Sequence, residues 1–344
     1  MVFKNKSVAK HILAVTKYVG GGLVVVVAWW WWWWWWWWLR WWRGGGVVVV
    51  AVPAWWHGGV VFWIVFGKLL RMNIAAYYQD DDAVLPGVTN LLVCSIHFGV
   101  DSSQNVYIHL NDSPPDSPVN QQMFQRAKLS NTKIGLMVGG AGLAFQVMFA
   151  NFETCYKLLA NLLESLQFVS VIDLDIEEQV KLEDVVQLVE CLKTDFDIQV
   201  SVCCVASDLM MPYQPSVFSG FCYADLVHQI GSLVDVFNVQ AYSDDTFSYA
   251  AVCQILSSQL VLPSKLCMGM ISSQDVDQAL DQLGVMCRAG IQLNGVFIWN
   301  MHSMAPDWPS RVRQAGMFFV QSDQSDQSDQ PVQPVQPVQP AHLV

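Results

Sequence analysis

The sequence predicts an α/β protein: a (β/α)8 TIM barrel over residues 72–320, set between low-complexity tails at 1–71 and 321–344. Three observations carry this. Eight short apolar runs alternate with stretches of helical periodicity. Together they occupy about 250 residues, the size of such a barrel. The fourth run, "FVSVIDLDIEE" at 168–178, spaces Asp173, Asp175 and Glu177 at every second position of an otherwise apolar strand.

Taken in order, the predicted strands are "NIAAYY" (73–78), "NLLVCSIH" (90–97), "KIGLMVGG" (133–140), "FVSVIDLDI" (168–176), "IQVSVCCVA" (198–206), "VFNVQAY" (236–242), "KLCMGMI" (265–271) and "GVFIWNM" (295–301). The first gap is short and loop-like, and the second holds an extra extended piece, "VYIHLND", before its helix. Helices are predicted over 151–166, 180–195 and 273–289, where apolar residues recur at spacings of three and four. A doubly wound open sheet competes, because "GGAG" at 139–142 follows a strand. That loop lacks the third glycine of a dinucleotide fingerprint, and no ribose-binding acid ends the next strand, so the barrel is preferred.

Side chains alternate between the faces of a strand, so Ile172, Leu174 and Ile176 share one face and the three acids the other. In a parallel barrel the apolar set faces the helices. The acids then point inward and rise toward the C-terminal mouth, where barrel active sites lie. A hydrogen-bonded polar layer would account for the same pattern, but stacked buried carboxylates are costly and perturbed acids gather at active sites. Glu177 and Asp175 would stand about 6.5–7 Å apart by strand rise. Three clustered acids cannot all ionise freely, so one is expected to be pushed upward.

Composition excludes other classes. Residues 1–71 carry eight Lys/Arg and no acid, while the rest of the chain carries ten Lys/Arg against all 29 Asp/Glu. So acidic a body argues against nucleic acid as a partner. The nine cysteines are odd in number and contain no CxxC, and several fall inside apolar runs, which reads as buried thiols rather than a disulfide framework or zinc site. His97, His109 and His302 lack ligand spacing and read as structural or rim residues, and no metal or cofactor is expected.

Of 17 Trp, 15 lie between Trp29 and Trp63, amid Gly and Val. Gly, Val and Trp correspond to the three frames of one TGG repeat, which points to simple-sequence DNA translated through frame slips. The uncharged runs 18–38 and 44–67 are nonetheless long enough to span a bilayer, so a membrane segment within 18–67 is one expectation. The chain would then be secreted or membrane-anchored, and otherwise intracellular. The tail "QSDQSDQSDQ" and "PVQPVQPVQP" cannot bury a core and is expected to be extended and disordered.

Four segments in order, "KIGLMVGGAG", "VIDLDIEE", "VFNVQAY" and "GVFIWNM", resemble the marks of glycoside hydrolase family 18, which includes chitinases and endo-β-N-acetylglucosaminidases. The resemblance covers residues 73 to about 318, nearly all of the barrel. It implies hydrolysis of β-1,4 linkages in a GlcNAc-containing oligosaccharide by substrate-assisted retention, with no protein nucleophile. Under it Glu177 matches the general acid, Asp175 the residue that orients the substrate's acetamide, and Asp173 the buried partner of Asp175. Tyr242 matches the hydroxyl steadying the acetamide, Gln240 its neighbour, and Trp299 the floor of the subsite. Gly139 and Gly140 match the strand-three glycines, and one of Tyr77 and Tyr78 is expected to face the pocket. This sequence departs from the pattern at Ser170, Val171, Ile176, Glu178, Met137 and Ser243. Two other readings stand beside the hydrolase: a glycan-binding barrel without turnover, and a repeat-derived product without selected function.

Overall fold

The structure is a computed structural model. It describes residues 72–79, 83–242, 247–271 and 276–317, together with four strands nearer the N-terminus. The chain divides into two compact units, Met1–Arg71 and Met72–Val344.

In the first unit β1 (Ala14–Val19), β2 (Gly22–Val27), β3 (Val47–Trp56) and β4 (Gly59–Lys68) form an antiparallel sheet in the order β1-β2-β4-β3. Valine-rich runs favour extended backbone, which accounts for strands in a segment read from sequence only as low complexity. Among the described residues no helix is long and apolar enough to cross a membrane, so the expectation of a span within 18–67 finds no support. Parts of that stretch, and the whole of the 321–344 tail, lie outside the described residues.

The second unit is a closed barrel of eight parallel strands. They are β5 (Asn73–Tyr78), β6 (Asn90–Val100), β8 (Lys133–Gly139), β9 (Val169–Asp175), β10 (Gln199–Val205), β11 (Val236–Gln240), β12 (Leu266–Ile271) and β13 (Gly295–Trp299). Pairing of β5 with both β13 and β6 closes the ring. The extra piece in the second gap is β7 (Val106–Leu110), added antiparallel to β6.

Alternation along each strand sorts the core into two. The outer core, between strands and helices, takes Ile172, Leu174 and Ile176 from β9 and its continuation, with Val200 and Val202 from β10 and Phe237 and Val239 from β11. The barrel interior takes Ala75, Tyr77, Leu92, Cys94, Met137, Val171, Cys267 and Phe297. Tyr77 therefore faces inward and Tyr78 outward. The acids of β9 share the inward face, level with Met137 and Val171, as expected from their spacing.

The helices are α1 (Pro118–Leu129), α2 (Ala144–Ala150), α3 (Phe152–Ser165), α4 (Leu182–Asp195), α5 (Ala206–Met210), α6 (Tyr223–Ile230), α7 (Tyr249–Ser257), α8 (Val276–Arg288) and α9 (Trp308–Met317). In α3, Cys155, Leu159 and Leu163 recur every four residues and are buried on one face. In α4 the first turn carries Glu183 and Asp184 and the last turn Lys193, matching the helix dipole. Helix α4 starts two residues later than the apolar periodicity predicts, after Lys181 in extended backbone, and the preceding Val180 N–H is bonded to the Ser219 carbonyl at 3.0 Å. Helices α2, α5, α6 and α7 span nine residues or fewer, too short for periodicity to reveal. No disulfide joins any of the nine cysteines, and Cys94, Cys155, Cys203, Cys204 and Cys267 are buried.

Candidate active site

The inward residues at the C-terminal ends of β5, β8, β9, β11 and β13 converge on one rim. Asp173 lies deepest and is completely buried. It accepts three hydrogen bonds: from the Tyr77 hydroxyl at 2.7 Å, the Ser201 hydroxyl at 2.5 Å and the Asn238 amide at 2.9 Å. Burial raises its carboxyl above the ordinary range while these donors pull it back down. Burial and the neighbouring Asp173 likewise push the Tyr77 phenol up, keeping it a protonated donor.

One step nearer the mouth, Asp175 ends β9 and is 4% exposed. Its carboxyl is raised well above 3.8, first by burial and then by the charges of Glu177 and Asp173, with the nearby Cys203 thiol and the Gln240 amide acting in the other direction. Both buried aspartates are thus pushed upward. Because β9 stops at Asp175, Glu177 stands beyond the regular strand and the strand-rise spacing does not apply to it. Glu177 is half-buried, with its carboxylate turned to the same amide that serves Asp175. Gln240 Nε2 donates to Asp175 Oδ1 at 3.2 Å and to Glu177 Oε1 at 3.3 Å.

The adjacent Glu178 turns the other way. Its buried carboxylate accepts from the Phe145 N–H at 2.5 Å and the Gln146 N–H at 3.0 Å, at the start of α2. Gly139 and Gly140 hold the end of β8 against β9. Gly140 N–H donates to the Asp175 carbonyl at 2.8 Å, and the Ser95 hydroxyl donates to the Gly139 carbonyl at 2.8 Å. Both glycines have left-handed backbone, φ 96° and 86°, and a Cβ on Gly139 would lie 2.2 Å from the Asp175 carbonyl oxygen. Only glycine allows this approach.

Two aromatic side chains complete the rim. Trp299, at the end of β13, is half-buried with its ring centroid 5.0 Å from that of Tyr77. Tyr242 follows β11 and lies edge-on to Phe297 at 6.4 Å. Its phenol is pushed up by burial and by the facing thiol of Cys203 and the three carboxyls, so it stays protonated and can donate. The rim can therefore offer a carboxyl positioned to exchange a proton, a second buried carboxyl beside it, a neutral hydroxyl donor and an aromatic face.

Asp173, Asp175, Glu177, Tyr77, Gly139, Gly140, Gln240, Tyr242 and Trp299 lie in this one region, whereas Tyr78 and Ile176 face the outer core and Ser243 is outside the described residues. Ser201, Asn238, Cys203 and Ser95 were not singled out. Ser201 and Cys203 alternate on β10, and Asn238 and Gln240 on β11, so their inward direction was readable once those strands were placed. The partner each would meet was not.

This architecture is a glycoside hydrolase family 18 chitinase-like fold. The chain is similar to a fungal endo-β-N-acetylglucosaminidase of that family, with 25% identity, TM-score 0.60, and coverage of 72% of this chain and 97% of that one. It is also similar to the chitinase ChiC of Aspergillus fumigatus, with 24% identity, TM-score 0.62, and coverage of 69% and 94%. A family 18 chitinase from Pseudoalteromonas aurantia shares the fold at 15% identity and TM-score 0.55, covering 71% and 99%. No protein-family model and no curated protein matches the chain.

Proposed function

We propose that the chain is a glycoside hydrolase cleaving β-1,4 linkages in GlcNAc-containing glycans, either chito-oligosaccharides or the chitobiose core of N-glycans, by substrate-assisted retention. The observation that carries this reading is the convergence of Glu177 and Asp175 on the Gln240 amide at the barrel mouth. In this reading Glu177 gives its proton to the glycosidic oxygen as the substrate's own acetamide oxygen attacks the anomeric carbon. Asp175 holds the acetamide N–H and offsets the positive charge that develops on the ring being formed. Tyr242 donates to the attacking carbonyl group, and Trp299 receives the apolar face of the sugar. Asp173, tied to three donors, fixes the base of the array.

A glycan-binding barrel without turnover is the second reading, and the departures at Met137, Ile176 and Glu178 favour it. One experiment separates the two: chromophore release from short chito-oligosaccharides and N-glycan-core substrates, measured alongside binding of the same sugars. Release supports the hydrolase. Binding without release supports the lectin-like barrel, and neither binding nor release removes both.

A further inference from the structure

We propose that Cys203 is a positioning residue for Asp175, one that orders the carboxylate and the Gln240 amide into a single hydrogen-bonded unit. The inference rests on the role given to Asp175 in the proposed function. It starts from register: in the parallel ladder between β9 and β10 the Cα of Cys203 is the partner of the Cα of Asp175, and both side chains point inward. Gln240 Nε2 donates to Cys203 Sγ at 3.4 Å as well as to Asp175 and Glu177. The thiol lies beside the Asp175 carboxyl and acts to favour its charged form. Cys203 is 2% exposed, so water is poorly placed to substitute for it.

A thiol suits this position only if it keeps its proton. Burial and the facing carboxyls of Asp175 and Asp173 push Cys203 well above its ordinary value, so it remains S–H, a weak donor and a weak acceptor at once. It can then accept from Gln240 while donating to Asp175. The other cysteines of the barrel wall differ. Cys94 and Cys267 pack in the apolar part of the interior, and Cys204, the next residue, belongs to the outer core. The chain thus contains its own comparison, two adjacent buried thiols of which one faces the carboxylate.

The test uses the full chain as wild type, Cys203→Ala, Cys203→Ser and Cys204→Ala. Three quantities are read: kcat and KM on a soluble chito-oligosaccharide, the pH profile of kcat/KM, and the carboxyl titration of Asp175 by 13C NMR. Losing one hydrogen bond to a charged group should lower kcat in Cys203→Ala by about tenfold with KM nearly unchanged. Because that bond favours the charged form, the Asp175 titration and the acidic limb of the profile should both move to higher pH. Cys203→Ser restores a donor and should recover most of the loss, whereas Cys204→Ala should change thermal stability alone. Wild-type kcat and an unmoved Asp175 titration in Cys203→Ala would overturn the proposal, as would a serine variant no better than alanine. If the wild-type protein turns over no substrate, the functional reading fails, and the Asp175 titration still decides the role of Cys203. If Cys203→Ala does not fold, the S–H stretching band of wild-type protein, identified by its loss in Cys203→Ser, decides instead: a band at the position of a free thiol overturns the proposal.

Discussion

Gln240 Nε2 donates to Glu177 Oε1 at 3.3 Å, although β11 and β9 are separated in the sheet by β10. The amide thereby holds a carboxylate that has already left the regular strand.

That geometry leads to the first expectation. Glu177→Gln keeps the size and the acceptor oxygen of the side chain but cannot give up a proton. Hydrolysis of a soluble oligosaccharide should fall by at least about a thousandfold, with oligosaccharide affinity and thermal midpoint nearly unchanged. Equal turnover by variant and wild type would remove Glu177 from the role of acid.

Stability should depend on pH through the buried aspartates. Asp173 and Asp175 are both raised in the folded protein, so the native state holds their protons more tightly than the unfolded chain. The stability these two groups contribute is then full below the ordinary aspartate value and is lost as pH rises from about 3.8 upward through the folded values. Asp175→Asn removes the larger of the two raised carboxyls and should flatten this decline in a series of thermal melts, while lowering kcat severely. An effect of Asp175→Asn on KM alone would point away from substrate assistance.

The Tyr77 hydroxyl can be removed without disturbing its ring, which lies against Trp299 and Phe297 at centroid distances of 5.0 and 5.3 Å. Tyr77→Phe takes one of three donors from a wholly buried carboxyl, and should cost about 1–3 kcal/mol of stability in a denaturant titration. A variant as stable as wild type would mean that Ser201 and Asn238 suffice for Asp173.

The barrel closes on itself within the second unit, through β5 pairing with both β13 and β6. We therefore expect residues 72–320 to fold without 1–71 and 321–344, as neither tail can add a packed layer to a closed ring. A single cooperative transition in the isolated fragment checks this, and a gradual loss of signal would contradict it.

Substrate length should follow the supply of aromatic faces. Outside the tryptophan-rich N-terminal segment only Trp299 and Trp308 remain, and Trp308 opens α9 fully buried in the outer core. Phe145 is fully buried too and Tyr77 is 1% exposed, whereas Tyr213 is 69% exposed and Tyr107 and Phe218 are also open. Each stacked sugar contributes on the order of 1 kcal/mol, so few platforms imply a short cleft. Soluble oligomers should be cleaved far faster than crystalline chitin. Comparable rates on both would reveal a track that includes Tyr213, and Tyr213→Ala should then slow the insoluble substrate selectively.

The sequence by itself determined the barrel and the direction of its site. A strand has a period of two, so Asp173 and Asp175 had to share a face opposite Ile172 and Leu174, and closure by eight such strands made that face interior. All eight barrel strands lie where the apolar runs placed them, within a few residues at their ends. What only the tertiary structure decided is which neighbours the inward residues meet. Register between strands distant in sequence sets Cys203 level with Asp175 and brings Gln240 to two carboxylates at once. Glu178 follows Glu177 directly, yet one serves the start of α2 and the other the barrel mouth. Local pattern carries only the face a side chain takes, whereas its partner and its proton affinity depend on burial and on charges that other strands bring beside it.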